Sequence, residues 1–273
     1  MDAVANNINE QYAAKAFSTQ STVFDEIYAD NTIVSYKRDR VRAHVLQYLK
    51  PNAYILELNS GTGEDATFFA ALGHNVHATD VAAGMQQKLR EKATKQGLGN
   101  LISTELCSFT QLKELKNKGP FDHVFSNFAG LNCTGELDKV LQSLPNLLNN
   151  NGVATLVILP KFCLWESLLL FKGKFKTATR RWFSKNGVTA HVAGTYFTCW
   201  YYNPSSVINA VKDSFEVLSV EGLCTIVPPS YIEYFAEKHP RVYSRLKRLE
   251  ERYRFSWPWH FVGDYYIISL KKK

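Results

Sequence analysis

The stretch ILELNSGTGEDA, Ile55 to Ala66, leads an apolar run into a turn with two glycines and then into residues that favour a helix. A strand, a tight turn and a helix start leave backbone N–H groups converging on one point, with the partial positive charge of the helix terminus behind them. Gly61 and Gly63 carry no Cβ, so a ligand can approach the main chain there. Asp80, at the end of the next apolar run, is placed to accept hydrogen bonds from ribose hydroxyls across the turn. Any adenosine cofactor fits these features. GTGEDA also satisfies the GxGxxG/A pattern of dinucleotide binding, with Ala66 in the third place and Asp80 near the expected distance. Against a pyrophosphate stand Glu64 and Asp65 in the first helical turn and Glu57 on the strand: carboxylates repel an anion and welcome a cationic amine or sulfonium.

Outward from this turn, apolar strand-like runs alternate with helical patterns, the signature of a parallel sheet covered on both faces. Strands are expected at 53–58, 75–80, 101–106, 121–128 and 152–160, with helices at 64–72, 84–96 and 137–148. After Pro160 the rhythm changes. Residues 161–202 insert an amphipathic helical stretch and then VTAHVAGTYFTCWYY, whose β-favouring content around Gly194 predicts a hairpin. Alternation returns with a helix at 204–214 and a strand at 215–223; a second insertion with a charged helix over 240–254 precedes a last strand at 264–271.

ILELNSGTGEDATFFAALGHNVHATDVAAGM resembles the opening motifs of class I S-adenosylmethionine-dependent methyltransferases. Glu57 matches the family's acid and Gly61 and Gly63 its second and third glycines, while Asn59 replaces the first and puts a side chain where the pocket is usually open. Asp80 matches the ribose-binding acid and Met85 the apolar residue against the adenine. Ser108 and Phe109 stand where the family often has an acid near the adenine amine, and Asn127 and Phe128, in a stretch like the fourth-strand motif, stand at the lip facing the methionine end. GDYYIISLK resembles the last strand, which the family inserts antiparallel. The resemblance implies a Rossmann-like, doubly wound, mostly parallel seven-stranded α/β sheet and S-adenosylmethionine as cofactor. It also implies a helical segment at 1–45 closing over the cofactor, with Tyr28, Tyr36 and Arg40 as contacts for the methionine carboxylate. The expected organisation is then a cofactor-binding core at 46–160, an acceptor-side cap at 161–202, and the rest of the core sheet at 203–273 with a helical insertion at 225–261.

Every tryptophan lies beyond residue 160, as do aromatic pairs such as Tyr196–Phe197 and Tyr201–Tyr202, so the second half is read as the part that selects a small apolar or aromatic acceptor. A catalytic base is needed only if that acceptor must lose a proton. His191 in the hairpin is the first choice, with His123, His260, Glu166 and Asp264 behind it. The five cysteines are scattered without CxxC spacing and read as reduced thiols, and His74 and His77 lack a third ligand, so no metal is expected. No basic-then-apolar leader and no run long enough to span a membrane stands out, which makes the cytoplasm the expected location. The net charge of +7 is concentrated at 172–185, 238–254 and the terminal lysines. Solvated helix faces account for such clusters, and nucleic acid or an acidic carrier bearing the acceptor are the other readings. An NAD(P)-dependent oxidoreductase, a methyltransferase acting on nucleic acid, and a non-catalytic cofactor-binding partner remain open beside the small-molecule methyltransferase.

Overall fold

The computed structural model describes residues 8–232 and 234–273; the first seven residues of the expected N-terminal segment lie outside the described residues. Helices α1 (Ile8–Gln20), α2 (Phe24–Ala29) and α3 (Thr32–Leu46) come first. Asn31 starts α3, its side-chain oxygen accepting the N–H groups of Ile33 and Val34 that the helix itself leaves unpaired. The βαβ unit follows as β1 (Tyr54–Leu58), α4 (Glu64–Ala71) and β2 (Asn75–Asp80), continued by α5 (Ala83–Lys95), β3 (Ile102–Leu106), β4 (Phe121–Ser126), α6 (Leu137–Ser143) and β5 (Leu148–Ile158). The expected helix to residue 148 stops at Ser143 and passes into a short 3-10 turn holding Pro145, which cannot supply the N–H that an α-helix needs. That frees Leu148 to start β5 four residues earlier than the sequence pattern indicates.

The insertion at 161–202 holds α7 (Leu164–Ser167), a 3-10 turn, α8 (Phe175–Thr179) and the hairpin β6 (Val188–Val192) and β7 (Thr195–Cys199). Its helical part is broken into short pieces because Gly173, at φ 71°, takes the left-handed conformation that ends a helix. After it come α9 (Pro204–Val211), β8 (Phe215–Leu223), α10 (Phe235–Lys238), α11 (Pro240–Tyr253) and β9 (Tyr265–Lys272).

The sheet has seven strands in the order β3-β2-β1-β4-β5-β9-β8, and β9 is antiparallel to both its neighbours, as expected of this fold. Alternation along each strand sorts the core into two layers. Leu56, Val124, Leu156 and Ile268 pack with α6 and α9 on one face. Ile55, Phe125, Val157 and Ile267 pack with α3, α4 and α5 on the other. All five cysteines are free, four of them buried.

A single carboxylate fixes the second insertion. Glu250 of α11 is buried and accepts the backbone N–H groups of Cys224, Thr225, Ile226 and Val227 at 2.7 to 3.0 Å, closing the turn after β8. Bonds to a charged acceptor are each worth about 1.5–3 kcal/mol, and losing the acceptor leaves buried donors unpaired. Glu250→Ala is therefore expected to destabilise the protein by at least about 3 kcal/mol, lowering the melting temperature by roughly 6 °C or more in a thermal unfolding scan.

Candidate active site

One cavity opens at the carboxyl ends of β1, β2 and β4, where a doubly wound sheet presents its ligand crevice. Its floor is the turn after β1. Asn59, Gly61 and Gly63 lie at φ 47°, 55° and 82°, left-handed values that glycine takes freely and asparagine tolerates. At Gly61 a Cβ would meet nothing within 4 Å, so the main chain there is open to a ligand. Gly63 serves packing instead: a Cβ would lie 2.4 Å from Leu89 Cγ, so its glycine lets α4 start against α5. Asn59, in the place of the first glycine, turns its side chain sideways, donating to the Asn127 carbonyl at 2.9 Å and accepting from the Ser126 hydroxyl at 2.6 Å. It laces the ends of β1 and β4 together.

Asp80 accepts the Gly61 N–H at 2.9 Å and the Ala82 N–H at 2.8 Å. Burial raises its pKa and those backbone donors oppose the rise. Around the floor stand Glu57, Met85, Phe109, Asn127 and Phe128, all lining the cavity. Phe128 and Ala129 follow β4 at φ 45° and 62°, and for a bulky side chain such a value is strained by about 1–3 kcal/mol. The Asn127 side chain accepts the Phe128 N–H at 2.8 Å, and the Val157 carbonyl accepts the Ala129 N–H at 3.2 Å, which hold the kink.

The acids of the glycine turn do not all face a ligand. Asp65 receives Arg42 Nε at 2.7 Å and Asn127 Nδ2 at 2.7 Å, and Glu64 pairs with Lys92 and, at 3.6 Å, with Arg38. Glu57 is different: it is buried, lines the cavity, and its Oε2 has no hydrogen-bond partner among the described residues. Burial, then the Asp65 charge, holds its carboxyl well above the usual carboxylate range despite Arg42. Glu64 and Asp65 are thus met by cations, while Glu57 has no salt-bridge partner among the described residues.

The lid is helical. Glu10, Ala13 and Phe17 of α1, Phe24 of α2 and Arg38 of α3 line the cavity, whereas no residue of 161–202 does. Glu10 is buried and accepts from the hydroxyls of Ser108 at 2.5 Å and Thr110 at 2.8 Å, so an acid does reach the Ser108–Phe109 corner, supplied from another part of the chain. The hairpin backs α1 from outside: Asn9 donates to the carbonyls of Cys133 and Thr198 and accepts the Thr198 N–H at 2.6 Å. At the far end of α1 a Cβ on Gly84 would lie 2.7 Å from the Ser18 carbonyl, so the helix seats directly on the start of α5.

Four residues expected at the site are elsewhere, the first being Tyr28, whose ring meets that of Phe24 edge-on at 5.1 Å outside the cavity lining. Tyr36 donates its hydroxyl to Glu250 at 3.2 Å, and Arg40 bridges Glu221 and Glu251, so both join α3 to the C-terminal elements; Arg38, on the other side of the same helix, reaches the cavity. His191 is exposed on the hairpin, its ring stacked on Tyr196 at 4.4 Å, and is not among the lining residues. His123 is wholly buried in β4 and burial lowers its pKa to about 3, which fits a structural role. Cys163, Glu166 and Asp264 bring ligand-type atoms within 4.8 Å of one another, yet Arg181 Nη2 bonds both carboxylates at 2.7 and 2.8 Å and Arg180 adds two bonds to Glu166. Burial alone would raise the Glu166 pKa; the two guanidiniums outweigh it and lower it.

Residues 55–152 match the family model of the methyltransferase domain. Among solved structures the chain resembles the [4+2]-cyclase SpnF (14% identity, TM-score 0.65, all of this chain and 99% of that one). It also resembles the 1,6-didemethyltoxoflavin-N1-methyltransferase of Burkholderia thailandensis (14%, 0.57, 100% and 93%) and the CcbJ methyltransferase of Streptomyces caelestis (18%, 0.59, 87% and 96%). At such identities the likeness establishes the fold. No curated protein matches the chain. The matched residues take in the glycine turn and its acids just described.

The unpaired carboxylate gives a test that needs no ligand. A carboxyl whose folded-state pKa is raised contributes stability below its unfolded pKa and loses it as pH climbs through the folded value. The stability of the wild type relative to Glu57→Gln should therefore fall as pH rises from about 4.5, read as a widening gap in denaturation midpoints in favour of the variant; a constant gap contradicts the assignment.

Proposed function

We propose that the chain methylates a small, apolar or aromatic acceptor. The observation that carries this reading is Glu57, a buried carboxyl whose Oε2 has no hydrogen-bond partner among the described residues, on a cavity also lined by Phe17, Phe24, Phe109 and Phe128. Its carboxylate is assigned to the ammonium of the cofactor's methionine end, and Arg38, whose buried Nε has no partner among the described residues, to the carboxylate of that end. Asp80 keeps lone pairs beyond its two backbone bonds and is assigned to the ribose hydroxyls. Met85 and Phe109 are assigned to the faces of the adenine, with Glu10 and Ser108 near its amine.

When bound, S-adenosylmethionine supplies a methyl group on a sulfonium that needs no further activation. The chain's work is then to position and to keep water out, and good orientation is worth about 7–11 kcal/mol. Phe17, Phe24 and Phe128 form the apolar walls for the acceptor, which suits a compound that brings its own lone pair, such as a neutral amine. Relatives of this fold act on different compounds, 1,6-didemethyltoxoflavin in the Burkholderia thailandensis enzyme and phosphomonomethylethanolamine in that of Haemonchus contortus, so the choice rests on these walls and not on the fold.

Titration calorimetry should show S-adenosylhomocysteine binding and NAD not binding. An ammonium beside Glu57 favours its ionised form, so binding should release a proton and strengthen as pH rises; Glu57→Gln should abolish the release and weaken binding by about tenfold or more. Incubation with methyl-labelled cofactor and fractionated cell extract should put label into small molecules, and label confined to macromolecules would defeat the acceptor assignment.

A further inference from the structure

Six of the chain's seven net positive charges sit in the 161–202 insertion, which has seven Lys and Arg against one acid, Glu166. That acid is buried and spent on Arg180 and Arg181. The outward side of the insertion is therefore cationic without a counter-charge of its own: Lys172, Lys174, Lys176 and Lys185 are all exposed. Interleaved with them are side chains that a soluble surface ordinarily hides. Phe171 is 88% exposed, Phe183 83% and Phe175 65%, with Leu168 and Trp182 also exposed.

These residues do not stand out because the segment lacks a core. Ala178, Arg181 and Ser184 are buried between them, Phe162 stacks on Trp182 at 5.8 Å, and Arg181 bonds the Asp264 carboxylate at 2.8 Å and its carbonyl at 2.9 Å. The inner half is thus fastened to the sheet while the outer half presents phenylalanine and lysine in alternation. Rings and a leucine that enter the acyl boundary, ringed by lysines that meet phosphates, are the chemistry of an interfacial anchor. A nucleic-acid surface uses rings for stacking, which Leu168 cannot do.

We propose that residues 168–185 dock the protein on a bilayer surface containing anionic lipid, with Phe171, Phe175 and Phe183 entering the interface and Lys172, Lys174, Lys176 and Lys185 meeting headgroup phosphates. The site takes lipid headgroups of net negative charge and is independent of the methyl-transfer assignment, because its readout is binding. No helix among the described residues is long and apolar enough to cross a membrane, so the attachment is peripheral.

Flotation of the full chain with vesicles of phosphatidylcholine, with and without 30% phosphatidylglycerol (about a third anionic lipid, as a strong test of the surface-charge effect), measures it. Binding is expected to the anionic vesicles and to fall at least about tenfold on the neutral ones, since each lysine near such a surface contributes roughly fivefold. Phe171→Ser with Phe183→Ser, and separately Lys172→Glu with Lys174→Glu and Lys176→Glu, should each remove binding while S-adenosylhomocysteine affinity stays unchanged. Absence of flotation, equal binding to neutral vesicles, survival of binding in both variants, or displacement from anionic vesicles by an equal mass of RNA or of an acidic carrier protein would each overturn the proposal.

Discussion

One carboxylate holds the floor of the cavity together. Asp80 accepts from Gly61 through one oxygen and from Ala82 through the other, so the turn after β1 and the turn after β2 are fixed to a common point. A segment with Asn59, Gly61 and Gly63 all in left-handed backbone has no repeating hydrogen-bond pattern to define its shape. Its shape comes from neighbours: Asp80 on one side, the Thr79 carbonyl accepting the Ser60 N–H at 2.9 Å, and Asn59 tied to Ser126 and Asn127 on the other. With the turn fixed, the buried Glu57 carboxyl is left at the cavity with its Oε2 unpartnered among the described residues, which distinguishes the cavity chemically from a merely apolar cleft.

The cavity is finished by elements remote in sequence. Glu10 of α1 brings an acid to Ser108, and α1 itself is held at one end by Asn9 on the β7 edge and at the other by contact with Gly84. The hairpin of the 161–202 insertion therefore acts on the cavity through α1, not by covering it directly. It is the hairpin edge, not the helical part of the insertion, that makes this contact, so changes at Thr198 reach the Glu10–Ser108 corner of the cavity.

How much of this the sequence carries follows from the range of each signal. The strand–turn–helix unit, the cavity positions Glu57, Asn59, Gly61, Asp80, Met85, Phe109 and Asn127, the hairpin and the antiparallel last strand are legible, because periodicity and glycine spacing are local. Helix α3 shows the limit. Tyr36, Arg38 and Arg40 differ by two positions each, about 200° of rotation on a helix, so only knowledge of which face meets the sheet selects Arg38 for the cavity and sends the other two to Glu250, Glu221 and Glu251. Glu10 was beyond reach for a similar reason: its partners are about a hundred residues away, and the acid motif it replaces leaves no trace at Ser108 itself. The hairpin that holds His191 is legible, but which way it faces is not, and its orientation leaves that ring exposed and stacked on Tyr196.

The insertion's anchor also bears on what its outer surface does. A buried guanidinium between two carboxylates is an expensive way to hold two elements together, since desolvation offsets most of the attraction and well-packed apolar groups would hold them as firmly. What such a network adds is direction. Arg181 satisfies Glu166 Oε1, Asp264 Oδ1 and the Asp264 carbonyl at once, and a planar fork can do so in only one orientation, whereas an apolar contact tolerates sliding. Asp264 immediately precedes β9, the strand inserted between β5 and β8, so the direction is set against the most deeply paired part of the sheet. The basic, phenylalanine-bearing side of the insertion is thereby held at a fixed attitude to the sheet.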